Sequence, residues 1–245
     1  MANDTHTHTH THTQQKPSQT DGSNLQITHI RPYQVLRISD RFEDEIKFFM
    51  PQPQGRGSTS AIESLLLIKL MRVVDADYLF EFGTYKGLTT RLLLENLPNK
   101  NITSERIYTL DLPSIDGVEF QGTDVEVAKE AIGFERKYKS SKNSNLVKQL
   151  LQDCLTLDEK QYKEKFQFIF IDGNHEVNYA KSDTEKSFFM LAKAPSCIVW
   201  HDYGNPEFPE LTAYIDNLAK QKRIYHIEDT MLAFHLLGKE VAARD

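Results

Sequence analysis

One stretch constrains the fold more than any other. Tyr78-Leu79-Phe80-Glu81-Phe82-Gly83-Thr84-Tyr85-Lys86-Gly87 is an apolar run of strand type that ends in a glycine-bracketed turn. Leu88 to Leu94 then reads as a helix, and Arg106-Ile107-Tyr108-Thr109-Leu110-Asp111 as a second strand closing on an acid. Strand, glycine turn, helix and strand with a terminal acid form the first half of an α/β unit of the nucleotide-binding kind. Such units take their ligand at the carboxyl ends of the strands.

The pattern repeats down the chain. Leu146 to Gln152 reads as a third strand, ending at Asp153-Cys154. Phe166 to Ile171 is a continuous apolar run ending at Asp172-Gly173-Asn174-His175, and Cys197 to Trp200 ends at His201-Asp202-Tyr203-Gly204. Val177, Ala180, Thr184, Phe188 and Leu191 lie at helical period between these two. Ile224 to Glu228 and Met231 to Leu237 read as two short final strands, close enough in sequence for a hairpin-like ending. The expectation is an α/β, Rossmann-like, doubly wound sheet of seven strands, mostly parallel with an antiparallel last strand, and with helices between the first six. Five successive strands end in Glu81, Asp111, Asp153, Asp172 and His201-Asp202, and a doubly wound sheet gathers such ends at one edge.

Upstream, residues 1–24 alternate His6, His8, His10 and His12 with threonine, a polar tail with nothing to bury. Residues 25–59 form an irregular segment that could cover the site as a lid, with a short helix expected around Asp40 to Phe49. Ser60-Ala61-Ile62-Glu63 is a capping box opening a largely apolar helix to about Val74, where the domain at 60–245 begins. Between Pro113 and Asn145 lies a polar insert with a helix expected from Asp124 to about Ile132, followed by Arg136-Lys137-Tyr138-Lys139. The insert reads as a solvated loop or as an element facing the substrate.

Across 245 residues, 39% hydrophobic and 26% charged, the composition is that of a globular protein. A net charge of −6 gives no general pull toward nucleic acid. No apolar run approaches membrane-spanning length, and the amino terminus has no apolar core of a secretory signal, so the expected location is cytoplasmic. Cys154 and Cys197 suggest neither a disulfide framework nor a paired-cysteine metal site.

Gly83 and Gly87 bracket Thr84-Tyr85-Lys86 without the middle glycine that a dinucleotide pyrophosphate requires. This E-x-G-x-x-x-G arrangement resembles the first motif of class I S-adenosylmethionine (AdoMet) methyltransferases. Four motifs in order, Phe82-Gly83-Thr84-Tyr85-Lys86-Gly87, Tyr108 to Pro113, Ile171 to His175, and Val199 to Tyr203, resemble the bacterial methyltransferase 24 family. The likeness runs from about Ser60 to Leu237 and departs from the family where Ala194-Pro195-Ser196 replaces a glycine pair. It implies an AdoMet-dependent methyltransferase, acting on a hydroxyl of a small-molecule acceptor with a general base. A nicotinamide-dependent Rossmann oxidoreductase and a non-catalytic AdoMet-binding protein are the alternatives.

By the same resemblance Glu81 and the backbone at Gly83, with Thr84, Tyr85 and Gly87 in the turn, would hold the methionine end. Asp111 and Leu112 would meet the ribose, Asp153 and Cys154 the adenine, and Asp172 the methionine amine. His175 is the leading candidate for the general base, since an imidazole titrates near neutral pH, and His201 is a second catalytic candidate. Some O-methyltransferases hold a divalent ion at positions matching Asp172, His201 and Asp202. No nucleic-acid or membrane partner is expected, and a homodimer is left open.

Overall fold

The computed structural model describes residues 25–38, 45–49, 58–98, 103–116 and 123–242. The His/Thr tail lies outside them, as do residues 40–44 of the helix expected around Asp40 to Phe49; residues 45–49 are not helical.

The strands are β1 (Thr28–Ile30), β2 (Leu79–Phe82), β3 (Ile107–Asp111), β4 (Val147–Leu151), β5 (Phe168–Ile171), β6 (Ser196–Trp200), β7 (Tyr225–Ile227) and β8 (Ala233–Leu237). They form one sheet in the order β1-β7-β8-β6-β5-β2-β3-β4. All pairings are parallel except those of β8 with β6 and β7. The seven expected strands and the antiparallel last one are present. An eighth, β1, extends the edge by pairing in parallel with β7. Three residues with two exposed carry no period from which a strand could be read.

The helices are α1 (Pro32–Leu36), α2 (Ala61–Val73), α3 (Leu88–Glu95), α4 (Thr123–Ala131), α5 (Val177–Met190) and α6 (Pro209–Ala219). Alternation along the strands divides the core. Phe168 and Phe170 face one side with Leu66, Leu67 and Leu70 of α2 and Leu92 and Leu93 of α3. Ile169 and Ile171 face the other with Ala180 of α5 and Leu211 and Ile215 of α6. Because β5 is covered on both faces, it reads as an unbroken apolar run. The capping box forms as read: Ser60 N–H donates to Glu63 Oε2 at 2.7 Å and Glu63 N–H to Ser60 Oγ at 3.3 Å.

One connection differs from expectation. Between β4 and β5 the chain makes short 3-10 turns at Cys154–Thr156 and Glu159–Tyr162 in place of an α-helix. Each is opened by an aspartate, Asp153 or Asp158, whose side chain accepts from the backbone two residues on. Local bonding of this kind competes with helix propagation. No helix among the described residues is long and apolar enough to cross a membrane.

Candidate active site

β2 is flanked by β3 on one side and β5 on the other, and the chain leaves these neighbours in opposite directions. A crevice therefore opens above their carboxyl ends. It contains a pocket of ≈ 320 Å³, lined by Gly83, Tyr85, Asp111, Leu112, Asp153, Cys154, Asp172, His175, His201 and Asp202, among others. This lies at the low end of the ~300–1,000 Å³ usual for small-molecule sites. Ten of the residues singled out from the sequence thus share one cavity.

The turn after β2 is built for close approach. Gly83 adopts φ +88°, and a Cβ there would fall 1.9 Å from the Asp172 carbonyl oxygen. Gly83 N–H donates to Leu110 O and Asp172 N–H to Phe82 O, so the three strand ends are locked at the backbone. Gly87, at φ +72°, caps α3 in the left-handed region, against Tyr138 and Arg136 of the insert. Gly87 and Thr84 do not line the pocket.

Glu81 is placed differently from the expectation. It is 1% exposed beneath the turn, where its Oε2 accepts from the hydroxyls of Thr90 and Thr109. Burial raises its carboxyl to about 8 even against those two hydrogen bonds. It fastens α3 to β3 and does not reach the ligand space. A single acid before a glycine turn can face up or down, and strand parity alone does not say which face carries the ligand.

Asp111 closes β3 with Oδ1 accepting from Leu112 N–H at 2.9 Å and Oδ2 paired with Arg136 at 3.1 Å. Burial raises its pKa, although the Arg136 guanidinium opposes the rise. Arg136 is itself buried and donates to Ala131 O at the end of α4. The polar insert is therefore an element of the site: α4 contributes Val127, Ala128 and Ala131 to the pocket wall. Tyr85 Oη and Lys86 Nζ both reach Glu130 of α4 at 2.7 Å.

At the other end, two imidazoles sit among four carboxylates. His175 Nδ1 lies 2.8 Å from Asp124 Oδ1 and its Nε2 lies 2.9 Å from Asp202 Oδ2. The ring stacks on Phe208 at 3.9 Å between centroids. Burial works against a charged ring, but Asp124 and Asp202 outweigh it and hold His175 at about 10. Both ring nitrogens thus face carboxylates.

His201 is 6% exposed, with Nδ1 2.7 Å from Asp202 Oδ2 and 3.2 Å from Asp172 Oδ1, and Nε2 3.5 Å from Glu63 Oε2. Burial disfavours its charge, yet Asp172, Asp202 and Glu63 raise it well above the usual histidine value. Burial likewise pushes Glu63 up, but His201 and the N–H groups of Met231 and Ser60 bring it down to about 2. Asp202, in the left-handed region at φ +60°, also accepts from Asn205 Nδ2 at 2.6 Å.

Single ligand atoms of Asp172, His175 and Asp202 all lie within 4.8 Å of one another. His201, expected in this set, lies behind them and bonds the two carboxylates. A surplus of carboxylates over imidazoles suits a divalent cation. One nitrogen with two carboxylate oxygens suits a late first-row ion better than Mg²⁺. Asp124, Glu63 and Arg136 are the contributors that the sequence reading did not assign. Glu63 was already explained by its capping box, and Asp124 stands 51 residues from the histidine it holds.

A family described as a methyltransferase domain matches residues 80–203, from within β2 to just past β6. The chain belongs to this methyltransferase family. The matched span carries all four sequence motifs and every pocket residue discussed above except Asn205, Phe208 and Met231. Among solved structures, the SAH-bound methyltransferase PaMTH1 of Podospora anserina aligns at TM-score 0.51 and 17% identity, over 75% of this chain and 81% of that one. A Staphylococcus aureus structure provisionally named a caffeoyl-CoA O-methyltransferase gives TM-score 0.51 and 17% identity, over 74% and 85%. At such identity the likeness bears on the methyltransferase fold. No curated protein matches the chain.

Proposed function

We propose that the chain is an AdoMet-dependent methyltransferase that transfers the sulfonium methyl to a hydroxyl of a small molecule. The observation that carries this reading is the division of one pocket. Its Gly83, Asp111 and Asp153 end suits a nucleoside and an amino-acid moiety, and its Asp172, His175, Asp202 end suits a polar acceptor. In the reaction the S–CH₃ bond breaks as the O–CH₃ bond forms, and S-adenosylhomocysteine leaves. The enzyme's contribution is mainly alignment.

Asp172 is the acceptor of the hydroxyl proton in this reading. It lines the pocket, and among the described residues its side chain is paired only through Oδ1. Asp202 is bonded to His175, His201 and Asn205 and positions the cluster. A divalent ion held by Asp172, His175 and Asp202 would supply Lewis-acid polarisation of the acceptor oxygen.

The deciding measurement is calorimetry with S-adenosylhomocysteine. The wild type is expected to bind with Kd on the order of micromolar. Asp111→Ala should bind about tenfold or more weakly, because Arg136 and the ribose hydroxyls lose their shared acceptor. No heat with S-adenosylhomocysteine, alongside binding of a nicotinamide dinucleotide, would overturn the reading. For the proton acceptor, Asp172→Asn should lower kcat by about 100-fold. A change of only a few-fold removes Asp172 from that role. For the ion, Mn²⁺ or Zn²⁺ should raise the melting temperature of chelator-treated protein more than Mg²⁺ does. The shift should vanish in Asp202→Asn, and no shift in the wild type would exclude the site.

A further inference from the structure

Asp183 has no part in the chemistry above, yet it lines the same pocket. It projects from α5 and is 1% exposed. Its Oδ1 meets no hydrogen-bond partner among the described residues. Buried polar atoms left without a partner are uncommon and call for an explanation.

Two features show that the position is built. Gly173 stands in front of the carboxyl, and even a Cβ there would touch Asp183 Oδ2 at 3.5 Å. Gly173 and Asp183 thus pack at contact distance, and both line the cavity. One turn further along α5, Lys186 Nζ donates to the carbonyls of Cys154 and Leu155. The helix that carries Asp183 therefore also pins the segment expected to lie beside the adenine. Burial raises the Asp183 carboxyl to about 7, even though Cys154 and Lys186 oppose the rise, as suits an oxygen waiting for a neutral donor.

The donor follows from the chemistry of the ligand, on the AdoMet reading given above. The ribose hydroxyls fall to Asp111 and the ammonium to the Gly83–Asp172 end. Adenine's ring nitrogens in a nucleoside are acceptors, leaving its exocyclic amine as the one hydrogen-bond donor on the base. We propose that Asp183 reads the adenine of the cofactor, accepting a hydrogen bond from its exocyclic amine. The residue would thereby select a 6-amino over a 6-oxo purine.

The test is calorimetry of the full chain with S-adenosylhomocysteine, its 6-deamino analogue and its 6-oxo analogue, on wild type and Asp183→Asn. Wild type should bind both analogues at least about tenfold more weakly than S-adenosylhomocysteine, since the site's acceptor is left unpaired. Asp183→Asn, which presents an amide donor, should narrow or invert the preference against the 6-oxo compound. Equal binding of S-adenosylhomocysteine and the 6-deamino analogue by wild type would overturn the proposal, even if the variant fails to fold. An unchanged ratio in a folded Asp183→Asn would do the same. Failure of wild type to bind S-adenosylhomocysteine at all would instead remove the AdoMet reading on which the proposal rests.

Discussion

Gly83→Ala is expected to abolish binding of S-adenosylhomocysteine and to destabilise the protein by about 3 kcal/mol. Two costs act together. The backbone at φ +88° is one that residues with a side chain rarely adopt. The added methyl would also fall 1.9 Å from the Asp172 carbonyl oxygen, far inside van der Waals contact. That carbonyl cannot retreat cheaply, because Asp172 N–H is bonded to Phe82 O and the preceding residues pair with β2 in the sheet. Relief requires β2 and β5 to part at the point where the pocket opens. Chemical denaturation with calorimetry on the same samples checks both effects. Wild-type affinity in the variant would mean that the turn is not the cofactor cradle.

The second large effect concerns Asp202. Its Oδ2 lies 2.9 Å from His175 Nε2 and 2.7 Å from His201 Nδ1, so a single oxygen serves two rings, one half-buried and one buried. Asp202→Asn tolerates the left-handed backbone but removes the charge. In ion-free protein the loss should be about 3 kcal/mol, the order found when one partner of a buried ion pair is withdrawn. The pH dependence has a definite sign. The pKa of folded His175 is raised to about 10, so its contribution to stability is complete below the unfolded value of about 6.5. That contribution declines as the pH climbs through 10. Proton NMR of the His175 ring should show a midpoint near that value in wild type and several tenths to a few units lower in Asp202→Asn. A wild-type midpoint at about 6.5 would show that the ring is not held between carboxylates.

Much of this arrangement was legible before any coordinates. The acids at the ends of β3, β5 and β6 follow from apolar runs that stop on a charge, and parallel winding brings such ends together. The capping box at Ser60 and Glu63 has a local mechanism and forms as written. What escaped depends on contacts across long separations. Asp124 lies in a polar helix whose outer face resembles a solvated one, and only the fold carries it to His175. The side to which Glu81 turns depends on which face of β2 meets α3. An isolated imidazole titrates near neutrality, and the two carboxylates that raise His175 come from elements remote in sequence. The edge strand β1 is too short and too polar to announce itself.

Glu63 answers to two demands at once. Its Oε2 closes the box that starts α2, and the same carboxyl receives Met231 N–H at 2.8 Å and faces His201. Glutamine at this position would keep the helix start but withdraw the charge, whereas aspartate would be too short to reach back to residue 60. Drift at residue 63 is therefore coupled to residue 201. Among related chains, those that lose the acid at one position should also lose the histidine at the other, and a laboratory variant lacking Glu63 should tolerate replacement of His201 better than the parent does.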